Sequence, residues 1–401
     1  MQEEIRNFWL YQVYNVFQQY DTGIKVDYIV LLLILALCTV LTGISLSSIK
    51  NRHYWLNAFP LILMFSLIEG LRYLRGTDYL NYALLYKYHG EGVPIEMLYN
   101  ILQSLFYFLE LPYWAIFVVY AFIWIVALLY LFKRHKSYIL YGLPIFILLG
   151  LNNFECFIRQ NIAFAVIFVF LAALMEHRYK KALFCAVMAF LIHSSSVVFI
   201  LYILAIYWIC QRKQACLSPV IVISLYFLST FVLESQALGW ISEIIKLIPI
   251  VDGTVLSSYI ENADKWFSAD ASKDIFARSL FTKIGAFVFD SLVVYWSYRK
   301  LKHDNYQDKN MVFLYNLYAI SLIWLQLFFV YEIPKRIFGA FYMFAAFLIA
   351  YIMKRPKLSK FELLSRYIIF MYLIVFFIKN VLMASNQLFV WDAKGIYNFY
   401  L

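Results

Sequence analysis

Long apolar runs, nearly free of charge, are separated along this chain by short polar segments. They fall at 28–49, 56–68, 111–132, 137–154, 160–175, 214–233, 280–298, 311–331, 337–353 and 367–384. A run of about 20 such residues crosses the hydrocarbon of a bilayer as a helix. The stretch 182–211 holds no carboxylate, Lys or Arg, and His193-Ser194-Ser195-Ser196 interrupts it. That punctuation predicts two short helices meeting at one membrane face. Ten-residue alternation of the kind used by membrane barrels is absent from the pattern. The pattern therefore predicts an all-α polytopic membrane protein with about 12 transmembrane helices. Segment 94–110 reads as an amphipathic or re-entrant helix on one face, the alternative being a full crossing with a shifted register elsewhere.

Composition agrees with that reading and narrows the possible functions. Of 401 residues, 64% are hydrophobic and only 14% charged. Soluble domains are nearer half apolar and a quarter charged. A soluble enzyme, a disulfide scaffold, a disordered chain and a nucleic-acid-binding module are all excluded. The net charge of +10 is read as topology. More than half of the 34 Lys and Arg fall in the short loops 50–54, 133–137, 176–181, 211–217, 299–310 and 354–366. Basic loops mark the cytoplasmic side, so both termini and the long segments 72–112 and 235–279 are expected outside. Residues 1–401 read as a single integral membrane domain. Cys38, Cys156, Cys185, Cys210 and Cys216 have neither disulfide nor metal spacing. The first 25 residues lack the order of a cleaved signal peptide.

The outer segments carry the candidate chemistry. Arg72, Arg75, Arg159, Arg278, Lys335 and Arg336 sit on the side where cations are usually few. Guanidinium matches phosphate oxygens in a fixed, permanently charged fork, so an anionic headgroup is the functional reading. Anchoring at the interface, or ion pairing of Glu69 with Arg72 and Glu332 with Arg336, is the structural one. Asp78, in Gly76-Thr77-Asp78-Tyr79, could hold a sugar hydroxyl, order an Arg or cap a turn. Asp78, Glu91 and Glu96 form no adjacent acidic pair, so metal-independent chemistry is expected. His193, at the predicted break, is a candidate general base or a hydrogen-bonding partner of a kinked backbone. Lys283 and Asp290, two turns apart on one predicted helix, and Lys379 suit a structural ion pair or a proton-coupled transporter. No phosphate-binding loop or nucleotide fold is present, so any donor is membrane-borne.

Three of these stretches share a resemblance. Arg72-Tyr73-x-x-Gly76-Thr77-Asp78-Tyr79, Phe157-x-Arg159-Gln160-x-Ile162-Ala163 and Ile192-His193-x-Ser195 resemble, in order and spacing, the EpsG-like branch of Wzy polysaccharide polymerases. Arg336 before Ile337 and Tyr342 is a weaker match. Where the family tends to have a Glu followed by Pro, this chain has Pro94-Ile95-Glu96, and no role is assigned to Glu96. The resemblance implies a fold similar to the C-type glycosyltransferases in the bacterial cytoplasmic membrane. It implies polymerisation, on the outer face, of undecaprenyl-diphosphate-linked oligosaccharide repeats into O-antigen, capsule or exopolysaccharide. Implied partners are the lipid-linked donor and acceptor, the bilayer and a chain-length regulator protein, with no cofactor and no nucleic acid. Within it, His193, Asp78 and Arg159 are the expected catalytic residues. Arg72, Arg75, Tyr79, Gln160, Arg278, Lys335 and Arg336 are the expected substrate-binding residues, and no metal ligands are expected. Trp240, Tyr259, Trp266 and Phe267 are candidate sugar-stacking surfaces. The competing readings are a lipid-linked oligosaccharide flippase using Lys283, Asp290 and Lys379, and an O-acyltransferase using His193.

Overall fold

The computed structural model describes residues 22–48, 51–72, 78, 79, 82, 86, 96–213, 216–233, 278–329, 331–354 and 359–379. Every regular element among them is helical. The first half comprises α1 (Thr22–Ser48), α2 (Tyr54–Gly70), α3 (Met97–Phe108), α4 (Tyr113–Arg134), α5 (Ile139–Cys156), α6 (Ile158–Met175), α7 (Tyr179–Ile192) and α8 (Ser196–Lys213). The second comprises α9 (Pro219–Phe227), which runs on through a π-helical turn at Leu228–Val232, then α10 (Leu280–His303), α11 (Lys309–Leu327), α12 (Glu332–Gly339), α13 (Ala345–Met353) and α14 (Lys360–Phe377). Several starts are set by side chains. Ser279, Asp308 and Ser359 each accept a hydrogen bond from the backbone N–H three residues on. Pro219 opens α9, where its missing N–H costs nothing.

Seven helical segments among the described residues are long and apolar enough to cross a membrane, and three more are apolar but shorter. The expected count of about twelve is therefore not reached on length and apolarity. The reason lies partly in helices such as α7, whose 14 residues span about 21 Å at 1.5 Å per residue. The break in 182–211 occurs at the anticipated residues: α7 ends at Ile192 and α8 begins at Ser196. α3 has 12 residues, about 18 Å, too short to cross a core of about 30 Å.

Burial runs opposite to that of a water-soluble bundle. On α7, Ala182, Cys185, Ala189 and Ile192 face inward, while Leu183, Phe184, Val187 and Phe190 are exposed. α1 likewise exposes Leu33, Leu37, Leu41 and Ile44. Exposed apolar faces on helices that satisfy their own backbone are what a bilayer requires. The chain is a multi-pass membrane protein.

The interior packs α4 against α2 and α6, α6 against α7, and α1 against α2 and α5. α2 and α4 cross closely at Gly70, where an added Cβ would lie 2.4 Å from the Val118 Cα. Trp124 of α4 is fully buried and touches Phe65, Phe146, Phe154 and Phe168 from four directions. Chain reversals with Lys133, Arg134, Arg178 and Lys302 share one end of the bundle. The ends of α2, α5 and α7 and the starts of α4, α6 and α8 share the other, and α3 lies there against α7.

Candidate active site

Three helix ends and the start of α3 meet at that second end. The corner between α5 and α6 is tied by Asn161, whose Nδ2 donates to the carbonyls of Asn153 (2.6 Å) and Phe157 (2.7 Å). This fixes the first turn of α6, which carries Arg159 and Gln160. His193 closes α7, with extended backbone and its N–H on the Ala189 carbonyl, and the next turn delivers Ser194. Glu96 precedes α3 and makes no side-chain cap to it. Its carboxylate reaches across to α6 and α7 instead.

Glu96 Oε2 accepts from Arg159 Nη1 at 2.8 Å. Glu96 Oε1 accepts from His193 Nδ1 at 2.8 Å, and from the Ser194 N–H at 3.2 Å and hydroxyl at 3.3 Å. The three side chains are enclosed, with exposures of 7% for Glu96, 10% for His193 and 16% for Arg159. Burial alone would raise the Glu96 pKa, but the His193 hydrogen bond and the Arg159 charge outweigh it and hold it at about 2. The group is a carboxylate at neutral pH and can only accept. His193 Nδ1 therefore carries the hydrogen, and the lone pair of the neutral ring lies on Nε2. Among the described residues Nε2 has no hydrogen-bond partner. A carboxylate that fixes an imidazole tautomer this way leaves the far nitrogen ready to take a proton.

Arg159 is held from a second side by aromatic rings. Its Nε donates to the Tyr82 hydroxyl at 3.0 Å, and its guanidinium lies 5.7 Å from the Tyr82 ring and 5.8 Å from the Tyr99 ring. Burial pushes the Tyr82 phenol up to about 12, so it stays neutral and accepts. The Arg159 Nη2 group makes no hydrogen bond among the described residues.

One further cation, Arg336, adjoins this group, and two more gather at Phe329. Arg336 lies 4.4 Å over the Phe157 ring, and Gln160 Nε2 donates to the Arg336 carbonyl at 3.4 Å. Arg159 and Arg336 thus flank the same turn. Arg278 and Lys335 share the Phe329 ring at 3.5 and 4.5 Å, and Arg278 Nη2 donates to Gln326 Oε1 at 2.6 Å.

Other expected site residues are placed elsewhere. Arg72 does not open onto a shared anion cavity. It is 1% exposed, ringed by Tyr79, Phe117 and Phe154, and it donates to the carbonyls of Glu69 and Glu155. It clamps the C-terminal ends of α2 and α5, where carbonyls lack helical partners. Tyr79 is also enclosed, stacked on Phe117 at 4.8 Å with its hydroxyl on that of Tyr113. Asp78 is one turn before Tyr82, whose N–H bonds to its carbonyl. Arg75, Trp240, Tyr259, Trp266 and Phe267 lie outside the described residues.

The transporter candidates are held by neighbours. Asp290 is fully buried and accepts from Tyr226 (2.7 Å) and Tyr318 (2.6 Å), while Lys379 Nζ donates to Thr282 Oγ1 at 3.0 Å. The residues that sequence reasoning missed are Glu96, Tyr82 and Ser194. The available signal for Glu96 was a lone carboxylate at the head of an amphipathic helix, in the same long segment as Asp78.

The EpsG family model matches residues 54–392, most of the chain and all of this site. The chain belongs to the EpsG family. This is the family of Wzy-like polysaccharide polymerases. No curated protein and no solved structure matches this EpsG-family chain.

Proposed function

We propose that this EpsG-family protein lengthens a surface polysaccharide, such as O-antigen or exopolysaccharide, by joining undecaprenyl-diphosphate-linked repeats at the outer face of the bacterial cytoplasmic membrane. The observation that carries this reading is the Glu96–His193 pair, with Arg159 bound to the same carboxylate and Arg336 across the same turn. The acceptor sugar hydroxyl loses its proton to His193 Nε2 as its oxygen bonds to the anomeric carbon of the donor glycan. The bond from that carbon to the phosphate oxygen breaks, and its electron pair leaves with undecaprenyl diphosphate. Arg159 Nη2, Arg336, Lys335 and Arg278 neutralise the charge growing on the diphosphate. The cations take the place of a metal in this role, so the transfer is metal-independent. Glu96 is a positioning residue that holds His193 and Arg159 in register. Asp78 acts through Tyr82 and not as the base. Gln160 orients the Arg336 backbone.

The test is reconstitution in liposomes with a synthetic undecaprenyl-diphosphate-linked repeat, with EDTA and without nucleotide. A ladder of extended products is expected from wild type and none from His193→Ala. A His193→Ala protein that still makes the full ladder refutes the base assignment. Movement of the substrate across the bilayer without new glycosidic bonds favours the flippase reading instead.

A further inference from the structure

A cavity of about 620 Å³ lies along α3, within the usual range of small-molecule sites. Asn100, Gln103, Ser104 and Tyr107 line it at the spacing that puts all four on one helical face. The other face of α3 exposes Met97, Ile101 and Leu105, while the exposed Phe108 ring adds to the cavity lining. A short helix at a membrane boundary thus turns an apolar stripe outward and keeps an amide-and-hydroxyl stripe for the cavity. Tyr86 faces Tyr107 across it, ring centroids 6.2 Å apart, and its hydroxyl is anchored to the Leu111 carbonyl at 2.5 Å. Gln103 spends its Nε2 on Tyr99, leaving its carbonyl oxygen without a partner among the described residues. Glu110 closes the far end. Its φ of 51° places it in the left-handed region where Gly is the usual residue at a helix end. A carboxylate kept at such a position marks a functional candidate.

We infer that this cavity is a glycan subsite that accepts neutral or N-acetylated sugars and rejects uronic acids. Aromatic walls meet the apolar faces of sugar rings, amides bond hydroxyl and acetamido groups, and Glu110, the one charged group among the described residues lining the cavity, repels a second carboxylate. The link to the reaction is direct. α3 carries Glu96 at its head and the cavity about 6–16 Å further along, the reach of a short oligosaccharide. Gln103 bonds Tyr99, whose ring lies against Arg159. Which glycan arrives here rests on the polymerase reading; the sugar preference of the cavity does not.

The test uses the full-length protein in detergent and saturation-transfer NMR titrations with two probes, chitotriose and trigalacturonate. Chitotriose is expected to bind wild type and His193→Ala alike, and Tyr107→Ala and Ser104→Trp each to weaken it about tenfold. Tyr107 and Ser104 are exposed, and Ser104→Trp fills the cavity without giving up the Tyr86 ring contact that Tyr107→Ala removes. Trigalacturonate is expected to bind Glu110→Gln and not wild type. Absence of chitotriose binding to wild type overturns the inference. So does chitotriose affinity unchanged by both variants, which is the pattern of a lipid or detergent pocket. Equal trigalacturonate binding to wild type and Glu110→Gln overturns the sugar preference. No step of this test needs turnover. If the binding pattern holds while wild type makes no ladder, the polymerase reading fails and the subsite stands; the reverse pair of results removes the subsite alone.

Discussion

Replacing Glu96 by Gln tests the centre of the site with almost no change of shape. The carboxylate accepts from three different residues: Arg159, His193 and Ser194. An amide offers one acceptor oxygen and one donor nitrogen. Whichever way it turns, its NH2 group meets a donor from Arg159 or from the His193 side. His193 then loses the contact that fixes its hydrogen on Nδ1, and the ring is free to present N–H where a lone pair is needed. General base catalysis contributes about 10²–10⁴-fold, and E96Q is expected to lower kcat for chain extension by that order with KM little changed. Removing one partner of an enclosed ion pair also destabilises the fold. Because Arg159 keeps Tyr82 and is 16% exposed, the loss belongs at the lower end of the usual range, about 3 kcal/mol. Adding Arg159→Met removes the stranded charge, so the double variant regains part of the thermal stability and none of the activity. E96Q retaining kcat within about threefold of wild type refutes the positioning role, since a group that orients a general base contributes more than that.

The same carboxylate carries a pH signature. Its folded pKa of about 2 lies below the ordinary 4.5. The stability it contributes is fully present above 4.5 and is lost as pH falls toward 2. The wild-type melting temperature is expected to fall more steeply than that of E96Q across this interval. Parallel curves contradict the ion pairing.

Three further outcomes follow from the geometry. Arg336→Ala removes a cation beside the first turn of α6 together with its stacking on Phe157, and it is expected to lower kcat about 10²–10³-fold while the protein stays inserted; an undiminished ladder excludes it from the diphosphate site. Gly70→Ala drives a Cβ to 2.4 Å from the Val118 Cα and is expected to destabilise by about 1–3 kcal/mol in thermal melts. Val118→Gly does not rescue it, because the clash is with backbone. Asp290→Asn weakens the buried hydrogen bonding to the Tyr226 and Tyr318 phenols, costing about 1–3 kcal/mol, with chain extension per folded molecule unchanged; loss of activity in a fully folded variant revives the transporter reading.

The parts of this molecule legible from sequence were those with a local cause. Charge-free runs mark helices because a bilayer enforces helix over any uncharged stretch of sufficient length, and the expected 111–132 and 137–154 correspond to α4 and α5 within two residues at each end. The Ser-rich break after His193 was legible for the same reason, since hydroxyls there compete for backbone groups. Arg159 and His193 stood out because ionisable groups at membrane boundaries are few. What those side chains touch has no local cause. Glu96 and His193 are 97 residues apart in sequence and meet only because α3 packs on α7. Arg72 shows the same limit from the other side. Its position at the end of α2 fixed its depth but not its direction, and that was decided by unpaired carbonyls on α2 and α5 and by three aromatic rings around the guanidinium. A cation at a helix end can serve its own fold or a ligand, and the neighbouring elements decide which. Arg159 has an enclosed carboxylate to balance it and a guanidinium nitrogen left over, whereas Arg72 is enclosed by three rings and two carbonyls, so the proposed diphosphate site is centred on α6 and α12 rather than on α2.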